Sequence, residues 1–276
     1  MRLVLPLSLA AFVLLVPAAH AQSGAKKTQL VFAVSEGTSG GIDAETARAK
    51  YQPLADVLGR AINAEIKVAF VREFSALEKG MKDDQYDLVI ARPSDYPARG
   101  LRDYRYNFVA TAKPDGQCIL IVHKDSPIKK VADLKGKTFI FPEKKAYMTR
   151  FCRAELRDQG ILIDNEAVSY VREQGAIPFS IENRISDVGG IASYSGAYAQ
   201  WIKGEHRVLH QSKAQPYMPL VASPRVTTEQ VGKMQQALNE LAGSAAGGQI
   251  LKRVGITGFV TTEEGRLRKL LEWLGV

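Results

Sequence analysis

Arg92-Pro93-Ser94-Asp95-Tyr96 places a guanidinium, a hydroxyl and a phenol directly after the apolar run Tyr86 to Ala91. Arginine offers a planar fork of donors that grips an oxyanion at two points. Farther along, Tyr147, Arg172, Ser193 and Tyr194 offer the same side-chain types at the ends of other elements. Glu36 sits in Ser35-Glu36-Gly37-Thr38-Ser39-Gly40-Gly41, where glycine permits close backbone approach to an anion. Tyr51 lies in the helix that follows this loop. Polar groups converging from strand ends and helix starts, with aromatics to close over them, are what a small-ligand cleft requires. These nine residues are the candidate ligand contacts, and the ligand they suit is small and anionic.

Catalysis has no comparable support. Gly-x-Ser-x-Gly is absent, and Ser193 and Ser195 lie in Ala-Ser-Tyr-Ser-Gly without the first glycine. His206 and His210 have the i, i+4 spacing of a metal pair on a helix. No glutamate stands between them in the protease arrangement, and Arg207-Val208-Leu209 reads as a strand. Gly136-Lys137-Thr138 ends like a phosphate loop, but the earlier glycine is missing and a strand follows. Glu182 and Asp187 show no pairing. No catalytic residue, metal or cofactor is expected.

The elements that must position the candidates alternate. Gln29 to Val34 reads as a strand, Ala44 to Ile62 as a helix, Ile66 to Val71 as a strand, Phe74 to Met81 as a helix and Tyr86 to Ala91 as a strand. This order implies a parallel sheet with helices on its faces. Ligands on such sheets sit beyond the carboxyl ends of the strands, so the loop at 35–41 and the loop at 92–96 point to one place. Tyr106 to Ala112 and Gln117 to His123 are extended runs around Lys113-Pro114-Asp115-Gly116, which has turn chemistry. Thr138 to Phe141, Val168 to Val171 and Val188 to Ser193 are strands, with helices at Lys145 to Gln159 and Ile177 to Asn183. Helices at about 228–242, 247–254 and 263–274 need a sheet to cover, and the simplest solution returns the chain to the first lobe. The expected division is one lobe from 28–112 with 222–276, and a second from 113–221. Crossings are expected near 112–118 and 214–222.

Arg2, the apolar run Leu3 to Pro17 and Ala19-His20-Ala21 have the layout of a cleavable secretory signal over residues 1–21. The run is shorter than the roughly 20 residues that span a bilayer. The product is expected in the periplasm as a soluble monomer. Lys and Arg number 37 against 29 Asp and Glu, a net charge of +8. Such a balance suits an anionic ligand or surface. Aromatics do not interleave with the basic segments as single-stranded nucleic-acid binders require, so no nucleic-acid partner is expected. Cys118 and Cys152 form one possible disulfide. Two buried thiols and a soft-metal pair are the alternatives.

Several strings read together in order. They are Tyr51-Gln52-Pro53-Leu54-Ala55-Asp56, the strand and loop from Tyr86 to Tyr96, Val122 to Ile128, and Val131 to Thr138. The series resembles the type-2 periplasmic binding proteins, and within them the phosphate/phosphite/phosphonate-binding branch of ABC-transporter components. The resemblance implies an α/β fold of two lobes, a Venus flytrap, with a ligand cleft between them. It implies a role in capturing a phosphonate- or phosphite-like oxyanion for an ABC importer, with the permease as partner. A ligand-sensing accessory of a membrane histidine kinase or redox system would use the same fold, and an enzyme on this scaffold is the third reading. Three departures touch the ligand. Arg92 stands where the family has glycine. Lys144-Lys145-Ala146-Tyr147-Met148-Thr149 replaces a Ser-Thr-Ser-Gly-like run, and Arg172-Glu173-Gln174-Gly175 replaces a histidine-containing loop. Ser193 best matches the family's aspartate after a Val-Asp-Ala strand.

Overall fold

Apolar β-branched runs and amphipathic helices alternate along the chain, and the two sheets they build belong to two lobes. The computed structural model describes residues 27–39, 41–204 and 206–276. The expected signal segment lies outside the described residues. In chain order the first elements are β1 (Thr28–Ser35), α1 (Ala44–Ile62), β2 (Ala64–Phe70), α2 (Phe74–Lys82), β3 (Leu88–Ala91), α3 (Asp95–Asp103), β4 (Asn107–Gly116) and β5 (Cys118–His123). Then come β6 (Thr138–Pro142), α4 (Tyr147–Asp158), β7 (Ala167–Val171), α5 (Ala176–Glu182), β8 (Val188–Ala192), α6 (Gly196–Trp201) and β9 (His206–Gln211). The chain ends with β10 (Gln215–Ala222), α7 (Thr228–Leu241), α8 (Ala245–Val254), β11 (Gly258–Val260) and α9 (Glu264–Leu274).

The first sheet has the order β11-β4-β10-β3-β1-β2, and the second β7-β6-β8-β5-β9. β1 runs parallel to β2 and β3, as the early alternation requires. β10 is antiparallel to β3 and β4. In the second sheet β6 is parallel to β7 and β8, while β5 is antiparallel to β8 and β9. The carboxyl ends of β1 and β3 therefore meet those of β6, β7 and β8 across the junction of the lobes.

The first crossing falls within the expected 112–118, and the second begins just before the expected 214–222. β4 ends at Gly116 in the first sheet and β5 begins at Cys118 in the second, which puts one crossing at Gln117. β9 ends at Gln211 and β10 starts at Gln215, which puts the other at 212–214. Residues 113–116 and 215–221, assigned from sequence to the second lobe, are strand residues of the first sheet. Their prolines concealed this. Pro114, Pro216 and Pro219 sit where the β4–β10 ladder shifts register, and proline is tolerated in a sheet at such irregularities. α6 and β11, which sequence did not single out, are only 6 and 3 residues long.

Cys118 at the start of β5 and Cys152 in α4 are joined, with Cα atoms 5.4 Å apart. The bond is sealed in the second lobe's core. Gly190 on β8 leaves room for it, since a Cβ there would come within 2.9 Å of Cys152 Sγ and 2.4 Å of the Phe141 ring. The bridge closes a loop of 34 residues, for which the chain-entropy relation gives about 3–4 kcal/mol. Denaturant unfolding with and without reductant should differ by about that amount, and Cys118→Ala with Cys152→Ala should abolish the difference.

Candidate ligand-binding site

The first-lobe wall is organised by a buried carboxylate. Glu36 follows β1, and its side chain is 4% exposed. Oε1 accepts from Tyr51 Oη at 2.6 Å and from Lys50 Nζ at 2.7 Å. Arg92 Nε stands 2.5 Å from Oε2. Its N–H is not aligned as a hydrogen bond, so the contact is an ion pair. Arg92 also donates to Tyr194 O at 3.3 Å and to Val254 O at 3.2 Å. Its guanidinium lies over the rings of Tyr194 and Tyr217, which stack with centroids 4.1 Å apart. Burial pushes the Glu36 carboxyl up, but the charges of Arg92 and Lys50 and the hydrogen bonds outweigh it and hold the group below its ordinary value. Burial, and then the Glu36 charge, push the Tyr51 phenol well up.

The second wall comes from two facing helix starts. Ser94 precedes α3 and is fully buried, as is Asp95. Arg150 of α4 reaches across the junction to Asp95, while Arg99 lies 3.7 Å from the same carboxylate. Burial pushes the Asp95 carboxyl up against the pull of both arginines. Tyr147 opens α4. Its ring is 3% exposed, and its hydroxyl is buried near Ser94 with no aligned hydrogen-bond partner. Tyr96 stacks on Phe74 at 5.5 Å.

The nine candidates thus fall into separate places. Glu36, Tyr51, Arg92 and Tyr194 form one cluster, and Ser94 meets Tyr147 across the junction. Tyr96 supports Phe74. Arg172 is exposed at the mouth, 3.4 Å from Glu73 of the first lobe. Ser193 lies at a chain crossing, where its Oγ accepts from Gln117 N at 3.1 Å. The donors of Arg92 that suggested an oxyanion clamp are taken up by Glu36 and two carbonyl oxygens.

Sequence reading missed Gln174, Thr38 and Ser39. Gln174 Oε1 accepts from Ala192 N at 2.7 Å, and Nε2 donates to Thr38 Oγ1 at 3.3 Å. Gln174 N also donates to Thr38 O at 3.2 Å. One amide therefore ties the β8 end to the first-lobe loop. The loops at 35–41 and 172–175 had been marked, but the charged Glu36 and Arg172 were the residues chosen from them. Between these groups is a small cavity of about 10 Å³ whose lining includes Thr38, Ser39, Phe74, Tyr147, Gln174 and Tyr194. It combines hydroxyls, an amide and aromatic faces. A wider groove of about 400 Å³ runs between α4 and the end of α9. Its arginines are engaged by neighbours, Arg153 by Asp164 and Arg157 by Asp158.

Residues 41–265 match the family described as ABC transporter, phosphonate, periplasmic substrate-binding protein. The chain belongs to this family. No curated protein matches it in sequence. Among solved structures it is similar to a Xanthomonas citri protein bound to ATP, with TM-score 0.73 and 16% identity over 90% of this chain and 97% of that one. PhnD1 from Prochlorococcus marinus in complex with methylphosphonate has TM-score 0.69 and 15% identity over 88% and 96% of the two chains. A binding-protein component of an ABC phosphonate transporter from Pseudomonas aeruginosa has TM-score 0.64 and 14% identity over 91% and 86%. At these identities the structural likeness shows the two-lobed fold. The family match shows the class, substrate-binding proteins that work in the periplasm with ABC transporters.

Arg92→Ala leaves Glu36 charged and buried, a loss of about 3–5 kcal/mol in urea unfolding. Arg92→Met with Glu36→Gln should recover most of it. The folded Glu36 carboxyl lies below its ordinary value of 4.5. Its stabilising effect is therefore full above that value and is lost as pH falls through the folded one. Unfolding measured from neutral to acid pH should show this slope in the native chain and a shallower one in Glu36→Gln.

Proposed function

We propose that this chain captures a small phosphorus oxyanion of phosphonate or phosphite type in the cleft between its lobes and presents it to the permease of an ABC importer. The observation that carries the reading is the Tyr147 hydroxyl, buried beside Ser94 without an aligned partner at the start of α4, with its residue lining the cavity. It adds a side-chain donor to a place where backbone N–H groups at helix starts already favour an anion. Tyr147, Thr38 and Ser39 are the donors assigned to the oxyanion, with Ser94 behind Tyr147. Phe74 and Tyr194 wall the substituent on phosphorus. Glu36, Tyr51 and Arg92 hold that wall in place, Tyr96 backs Phe74, Arg172 guards the mouth and Ser193 steadies a crossing. Methylphosphonate bound to PhnD1, on the same fold, supports the ligand class. A ligand touching both lobes favours the closed form over the open one. Export rests on the amino-terminal layout of Arg2 and the apolar run after it.

A thermal-shift panel on the mature chain tests the reading with phosphate, phosphite, methylphosphonate and sulfate. A ligand at 100 times its Kd adds about 2.7 kcal/mol, so a selective rise with one phosphorus oxyanion is the expected result. No rise with any of them overturns it. Tyr147→Phe should weaken that ligand by roughly twofold to tenfold, the loss of one hydrogen bond worth about 0.5–1.5 kcal/mol.

A further inference from the structure

We propose that the cleft takes its ligand as a monoanion and excludes the dianion. The inference rests on the oxyanion reading above and specifies the charge state it admits. The chain as a whole is basic, at +8, but that charge does not reach the cleft. Among the described residues lining the cavity, none carries a formal charge. The cations behind it, Lys50, Arg92 and Arg150, exceed Glu36 and Asp95 by one charge. At the mouth, Glu73, Glu143 and Glu173 exceed Arg72 and Arg172 by one, so the charges around the cavity balance as a whole.

Desolvation decides between the two charge states. By the Born relation the penalty grows with the square of the charge, so a dianion costs about four times what a monoanion does. The neutral donors cannot offset that. Each helix start presents about half an elementary charge, so α3 and α4 together match about one negative charge. The charged groups packed behind the cavity wall are Glu36, Lys50, Arg92, Asp95, Arg99 and Arg150, with the mouth residues beyond them. The described histidines lie elsewhere, His123 on β5 and His206 and His210 on β9. The proton that tracks binding is therefore the ligand's own.

Titration calorimetry with methylphosphonate, at pH values straddling its second ionisation and in two buffers of different ionisation enthalpy, tests this. Above that ionisation the affinity should fall about tenfold per pH unit, with one proton taken up per ligand. Below it the affinity should be level, with no uptake. Asp95→Asn should keep the uptake. Affinity that stays level or rises above the ionisation overturns the inference while leaving the oxyanion reading intact. Uptake that disappears in Asp95→Asn also overturns it, because the proton then goes to the protein. Failure to bind at every pH overturns the oxyanion reading and the inference with it.

Discussion

Glu36 stays charged away from water because Arg92, Lys50 and Tyr51 surround it, and much of the cleft hangs on that arrangement. An unpaired carboxylate in such a place would take up a proton or draw in solvent. Paired, it fixes the loop after β1 against α1 and the end of β3. Arg92 carries the effect onward. Its two remaining donors reach a carbonyl next to α6 and one at the end of α8, so one side chain links both lobes and the carboxy-terminal helices. Its flat cation also lies over the stacked pair Tyr194 and Tyr217, one from each lobe. The cavity wall is thus built on a charge pair whose members do not themselves line the cavity.

The other bridges across the junction have the same character. Gln174 holds Thr38 through its side chain and its backbone, and Asp95 holds Arg150. These are polar contacts between groups on different lobes, so each is made fully only when the lobes are together. The protein's own side chains thus join the two lobes at several points. The disulfide acts on another scale. It ties the start of β5, one residue past a crossing, to α4, whose first turn carries Tyr147. The crossing and the helix that supplies the free hydroxyl are therefore one rigid unit.

Strong local patterns made most of the fold legible. The apolar period of 44–62 gave the bounds of α1, and the early strand–helix alternation gave the parallel core of the first sheet. The chain crossings were less legible because β10 carries two prolines and a residue of positive φ at Met218. Such a segment reads as a loop until a partner strand absorbs its irregularities. The candidate site was legible as a set of loops and poorly legible as a set of roles. Tyr147 and Tyr194 come together at the cavity with Ser94 behind Tyr147, whereas Ser193 went to the crossing and Arg172 to the mouth.

The reason lies in what each kind of information contains. Sequence by itself determined the alternating elements, the two-lobed class and which loops lie at strand ends, because those follow from local periodicity and turn chemistry. It also supplied the family, through the order of several loose motifs. Whether Arg92 meets a ligand or Glu36 depended on a carboxylate 56 positions earlier in the chain. Whether Gln174 is a solvated amide or a bridge depended on Thr38 in the other lobe. Long-range pairing of charges and hydrogen bonds has no local signature, because the energy of each group is set by whatever the fold brings within a few ångströms of it.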